Sequence, residues 1–181
     1  MAESKWLTWF NLALSIIAII ASTWAIFYSS NIAVETSYNI TKMQEAAIQK
    51  QTARALYFDV SNFQDQWGPW IEIHNKMNSG NLAVINTPTQ ELYPSNGIYF
   101  VFIKEIANFN QSVSGQIYEF YNYLLRAELL RKDALVDLPD TFNNENRKAA
   151  DRSDMWLNLN NAYSASEPLK ELLDNLTKEA D

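Results

Sequence analysis

The chain has 181 residues and a formal charge of −7, with one histidine and no cysteine. Without thiols it has no cysteine nucleophile, disulfide, zinc knuckle or iron–sulfur ligand. An acidic balance with no run of Lys or Arg argues against nucleic acid as a partner, and only four glycines argue for helices rather than a glycine-punctuated sandwich or barrel.

From Trp6 to Tyr28 the chain is predominantly apolar, and no ionisable side chain other than Tyr28 falls between Lys5 and Glu35. A spanning helix needs about 20 apolar residues at about 1.5 Å rise each. Leucine, isoleucine and phenylalanine each favour insertion by roughly 0.3–0.6 kcal/mol, and the run holds ten of them. Asn11, Ser15, Ser22 and Thr23 offset part of that gain. Trp6 and Trp9 at one end, with Trp24 and Tyr28 at the other, match the paired aromatic belts of an anchor. Residues 6–28 are therefore expected to contact the lipid bilayer. A cleaved signal has a shorter apolar region, about 7–15 residues, and a buried globular helix is rarely uncharged on every face. Lys42 and Lys50, set against Lys5 and the amino terminus, tilt the positive-inside balance weakly towards a cytoplasmic C-terminal part.

No Gly or Pro follows until Gly68, so the helix is expected to leave the membrane unbroken. The expected organisation is an anchor over 1–30, a helical stalk over 31–52 and a helical bundle over 53–181. From Ala53 the apolar positions alternate by threes and fours: Ala53, Leu56, Val60, Phe63, Trp67 and Trp70, with His74 and Met77 closing the series. This heptad spacing suits a bundle or coiled coil. Gly68-Pro69 is expected to kink or restart the helix, which ends near Met77.

Asn78 to Gly97 is rich in Asn, Ser, Thr, Pro and Gly and reads as a loop, with Leu82–Ile85 as a short extended piece. Helix resumes after Ser95 or Asn96 as N-cap, and IYFVFIKEIANF, apolar almost all round, reads as core. A longer helix follows Asn110 and Ser112, with Val113, Ile117, Phe120, Tyr121, Leu124 and Leu125 on its apolar face. After the DLPDTFNN loop, a final helix from about Glu145 to Lys178 carries Met155, Leu159, Ala162, Ser166, Leu169, Leu173 and Leu176 on its seam. Pro168 inside it implies a kink, or a restart capped by Ser164 with Glu167. The fold class is thus all-α: a single N-terminal transmembrane helix continuing into a three- to four-helix antiparallel bundle.

Residues suited to catalysis or metal binding are few. His74 sits in the heptad seam, with no serine elbow and no orienting carboxylate at helical spacing. One histidine cannot build a di-iron site, which takes two Glu-x-x-His motifs. Glu119 and Glu128, nine apart, are the carboxylates nearest to a pair; a solvated surface is the plainer reading of them, as it is of Arg126, Arg131 and Lys132. Asp137, Asp140 and Glu145 lack calcium-loop spacing. No cofactor or metal is expected. Aromatic residues crowd the middle helices and read chiefly as core, while Tyr118, Tyr121 and Tyr123 occupy more positions than one stripe buries and are the candidate interaction surface.

At YPSNGIYFVFIKEIANFNQSVSGQIYEFYNYLLRAELL the chain resembles a loose group of uncharacterised bacterial single-span membrane proteins. Ala53-Arg54-Ala55-Leu56 and Phe120-Tyr121 carry the same likeness. The resemblance implies an anchored helical domain in the bacterial inner membrane, with no activity and no catalytic residue to carry over. The reading is a non-enzymatic, membrane-anchored bundle that recruits or assembles protein partners or copies of itself, as an oligomer or as a subunit of a larger membrane complex. The alternatives are a periplasmic ligand-sensing domain, ranked lower for want of a second span, and a carboxylate enzyme using Glu119 and Glu128.

Overall fold

The computed structural model describes residues 2–78, 87–136 and 142–178. They form four α-helices: α1 (Ala2–Asn78), α2 (Ile98–Ile106), α3 (Gln111–Leu135) and α4 (Phe142–Lys178). No strand occurs among the described residues, and the all-α class with one apolar N-terminal helix holds. The extended reading of Leu82–Ile85 and the acidic residues Asp137 and Asp140 lie outside the described residues. The chain divides into two compact units, Met1–Ala46 and Ala47–Asp181, with the division inside α1.

In the first unit α1 is one helix, apolar along Trp9 to Phe27 and exposed throughout: Ile17 is 62 % and Ile20 63 % exposed. Nothing in the unit covers these side chains, as a globular core helix would require. The hydroxyls in the run are satisfied within the helix. The Ser15 hydroxyl donates to the Asn11 carbonyl at 2.9 Å, Ser22 to Ala18 at 2.7 Å and Thr23 to Ile19 at 2.8 Å. That is how a helix meets the requirement that hydrocarbon leaves no hydrogen-bonding group unpaired.

In the second unit, α4 lies antiparallel to α1. Gln64 meets Ser166 and Glu167, while further along α1 Asn75 meets Asn160, earlier in α4. The α1 seam Ala53, Leu56, Val60, Phe63 and Trp67 is buried against the α4 seam Met155, Leu159, Ala162, Ser166, Leu169 and Leu173. Burial of each large side chain stabilises by about 1.5–3 kcal/mol. α3 packs on α4 as a hairpin, so α3 runs parallel to α1, and the chain crosses back along the bundle before starting α3. Three helices form the body, and α2 is a short lead-in.

Four details depart from the sequence reading. After Trp67 the buried seam passes through Ile71 (1 % exposed) rather than Trp70 (55 %), and His74 and Met77 are only half-buried, because a helix with about 3.6 residues per turn drifts about 20° per strict heptad and a second step of four restores the face. Neither proline breaks its helix. Pro69 and Pro168 are exposed, as are Asp65 and Ser164 four residues before them, so the carbonyls that lose a partner face water. Ser164 therefore caps nothing; its hydroxyl bonds the Asn160 carbonyl at 3.0 Å. α2 starts at Ile98 after Gly97, without a side-chain cap, and buries only Ile106, leaving Phe100, Val101 and Ile103 exposed; it is not the core helix its composition suggests. Asn110 does cap α3, its side chain accepting from Val113 N–H at 3.0 Å.

Candidate functional site

Trp6, Trp9, Trp24 and Tyr28 are all exposed, between 57 % and 71 %. Trp6 stacks on Phe10 and Trp24 on Tyr28, at centroid separations of 5.7 and 5.5 Å. Twenty-two residues separate Trp6 from Tyr28, about 33 Å of helix, which matches a hydrocarbon core of about 30 Å. Among the described residues, one helix is long and apolar enough to cross a membrane.

The tyrosines do not form one surface. Tyr121 is fully buried, Tyr118 is 38 % exposed and Tyr123 is half-buried. Tyr121 stacks on Tyr99 at 4.5 Å, and Tyr118 meets the same ring edge-on at 6.4 Å. Tyr123 instead lines a polar groove between α3 and α4 with Gln116, Glu119 and Asn161. Positions 118 and 121 share a helix face and 123 lies about 160° from 121 at 100° per residue, so Tyr121 belongs to the core and the three do not form one exposed face.

Tyr121 belongs to a polar knot. Its hydroxyl donates to Asp59 Oδ2 at 2.7 Å, and the Tyr93 hydroxyl donates to the same oxygen at 3.0 Å. Tyr93 also accepts the Tyr99 N–H at 2.8 Å. One carboxylate oxygen thus joins α1, the crossover segment and α3. Burial pushes the Asp59 carboxyl above its ordinary value, and the two phenol donors pull it only part of the way back. Burial likewise raises both phenols, with the Asp59 charge adding to the effect.

Glu128 and Arg131 are each 5 % exposed, which corrects their reading as a solvated face. The guanidinium forks onto the carboxylate, Nε to Oε2 at 2.8 Å and Nη2 to Oε1 at 2.7 Å. Glu128 Oε2 also accepts the Leu92 N–H at 2.8 Å, and Arg131 Nη1 donates to the Thr89 carbonyl at 3.2 Å. Burial alone would raise the Glu128 carboxyl; the Arg131 and Leu92 donors outweigh it and hold the group below its ordinary value. The pair staples the crossover onto α3. Nor do Glu119 and Glu128 converge, since nine residues place them on opposite sides of α3 and about 14 Å apart along it.

His74 is half-buried, its ring stacked on Trp156 at 4.5 Å and 13°. No group of three or more His, Asp or Glu suited to a metal ion occurs among the described residues. Beside His74 lies the feature that sequence reasoning missed, a cleft of about 390 Å³ lined by Trp67, Trp70 and Trp156 with Thr87, Pro88, Thr89 and Gln90. Trp67 and Trp156 are each 4 % exposed, and neither indole N–H has an acceptor among the described residues. A buried donor left unpaired costs about 1–3 kcal/mol. Tryptophan recurring on two helices was the only available signal, because the sequence does not show which distant segments pack together.

No protein-family model, curated protein or solved structure matches the chain.

Proposed function

We propose that this protein is a non-enzymatic membrane tether whose helical bundle recruits or assembles protein partners, as a self-associated unit or as a subunit of a larger membrane complex. The observation that carries the reading is the exposed, uncharged stretch of α1 from Trp9 to Tyr28, with its Ser15, Ser22 and Thr23 hydroxyls bonded within the helix. A side-chain surface of this kind suits lipid rather than water. In the second unit the strongest polar clusters join structural segments: Asp59 with Tyr93 and Tyr121, and Glu128 with Arg131. Exposed Trp70, Phe100, Val101 and Leu157 offer apolar ground for protein contacts.

The bundle faces the cytoplasm in this reading, from the weight of Lys42 and Lys50 beyond the span. Crosslinking the full chain in native membranes tests the role: covalent adducts with other proteins or with itself are expected, and recovery of the monomer alone sinks it. A C-terminal reporter active only outside the cytoplasm, if it gave signal, would reverse the orientation.

A further inference from the structure

We infer that the apolar stretch of α1 pairs in the membrane with a second copy of this chain, side by side and in the same direction, with the two Asn11 amides bonded to each other. The inference rests on the membrane-tether reading and names the contact through which the tether self-associates.

The deciding group is the Asn11 side chain. The hydroxyls of Ser15, Ser22, Thr23 and Ser29 all donate to carbonyls of their own helix. Asn11 is exposed, and its carboxamide has no hydrogen-bond partner among the described residues. It lies five residues beyond Trp6, about 7.5 Å of helix further in, too deep for so short a side chain to reach the headgroups. Lipid tails offer it neither donor nor acceptor, so the missing partner has to come from another helix.

The helix face that carries this amide admits a close neighbour. Steps of four and three from Asn11 reach Ser15, Ala18, Ser22, Ala25 and Ser29, all of them exposed. On the opposite side Ile17, Ile20, Trp24 and Phe27 are all large. Small residues let two backbones approach in lipid, where packing and interhelical hydrogen bonds drive association. The spacing averages about 3.5 residues, the period of a left-handed pair.

A second copy fits this face by its own chemistry. Two copies inserted in the same orientation hold Asn11 at one depth, so a parallel two-fold pair brings amide to amide. A carboxamide is both donor and acceptor, and it therefore satisfies its own duplicate. No ionisable side chain lies on the line from Asn11 to Ser29, so the copies meet without like-charge repulsion. An asparagine at such a seam position also fixes register, which sets Ala18 against Ala18 and Ser22 against Ser22.

The chain has no cysteine, so one introduced thiol reports on one position. The test uses the full chain, purified, reconstituted in phosphatidylcholine vesicles at a low protein-to-lipid ratio, and oxidised. A18C and S22C are expected to form disulfide dimers, whereas I17C and I20C, on the opposite side, are not. By energy transfer between labelled copies, N11L is expected to weaken pairing about tenfold, and N11Q, which keeps the amide, to retain most of it. S22I adds bulk on the line and should abolish pairing; A13I adds the same bulk on the opposite side and should leave it intact. Equal crosslinking at all four thiol positions, or pairing undiminished in N11L, would overturn the proposal. Chain that stays in the vesicles through an alkaline carbonate wash yet forms no A18C or S22C dimer would remove the pairing and leave the tether standing. Wild-type chain lost in that wash would bring down the tether reading, and the pairing with it.

Discussion

The phenol of Tyr121 on α3 reaches Asp59 on α1 at 2.7 Å, across 62 residues of sequence, and Tyr93 donates to the same oxygen. Removing one donor from this carboxylate should cost about 1.5–3 kcal/mol, the range for hydrogen bonds to charged groups. Y121F is expected to lower the urea midpoint accordingly, with an unchanged slope. A loss below about 0.5 kcal/mol, the usual scale of a surface change, would show that the knot contributes little.

The same carboxylate gives a pH signature. Its folded-state value is raised above 3.8, so the folded state binds the Asp59 proton more tightly than the unfolded chain does. The corresponding stability is present at acid pH and is lost as pH rises from the unfolded value through the folded one. Other carboxylates titrate nearby, so the quantity to measure is wild type minus D59N, by thermal melts at a series of pH values. That difference should move in favour of the wild type as pH falls through the window. Parallel curves would mean Asp59 is not perturbed.

Glu128 behaves with the opposite sign. Its folded-state value lies below 4.5, so its stabilisation is present above the unfolded value and lost as pH falls through the folded one. E128Q strands a buried guanidinium and should cost about 3–5 kcal/mol near neutral pH. Adding R131M should recover part of that, because the uncompensated charge is gone. Additive losses in the double mutant would refute the coupling.

Gly97 precedes α2, and a Cβ there would fall onto the Tyr93 ring, which Asp59 and the Tyr99 N–H hold in place. G97A is expected to destabilise by about 1–3 kcal/mol, the usual cost of overpacking. In a Y93A background the clash has no target, and the same substitution should cost much less. Equal costs in both backgrounds would place the strain elsewhere.

Two neighbouring leucines of α4 separate core from surface. Leu159 is fully buried and Leu157 is 57 % exposed. L159A should cost about 2–5 kcal/mol through lost burial and a cavity, while L157A should stay within about 0.5 kcal/mol. Comparable losses at the two positions would contradict the packing of α1 on α4.

In the apolar stretch of α1, I17R should raise the insertion cost by about 3–4 kcal/mol and reduce the fraction retained in membranes after an alkaline carbonate wash. S22A removes a hydroxyl already satisfied by the Ala18 carbonyl and should leave retention unchanged. Equal retention of I17R and wild type would argue against a span.

The long helices and both seams were legible because they rest on local periodicity: Leu56, Val60 and Phe63 on α1, and Met155, Leu159 and Leu169 on α4, are buried as their spacing requires. Failures occur where a distant segment decides. Glu128 and Arg131 read as solvated charges until the crossover places Leu92 N–H and the Thr89 carbonyl on them. Tyr121 read both as part of the α3 apolar face and as a candidate interaction residue, and its enclosure by Asp59 and Tyr99 decides for the core. Gln64 carried no signal, yet it bonds Ser166, Glu167 and Lys170 across the α1–α4 interface. α2 misled through composition, since apolar residues on all sides of a short helix do not reveal how few of them a neighbour covers.

The parallel placement of α1 and α3, with α4 returning between chain ends, sets an order of events during synthesis. Gln64 meets its partner Ser166 across 102 residues. At about 5–20 residues per second, the apolar seam of α1 therefore waits about 5–20 s after leaving the ribosome before its cover exists. Through that interval the side of the seam that α4 will cover, at Leu56 and Val60, is open to any passing apolar surface, whereas Phe63 meets Phe120 of α3 sooner. A substitution that slows closure of the α3–α4 hairpin lengthens this exposure, and its first consequence is chaperone dependence during production rather than a change in the finished protein.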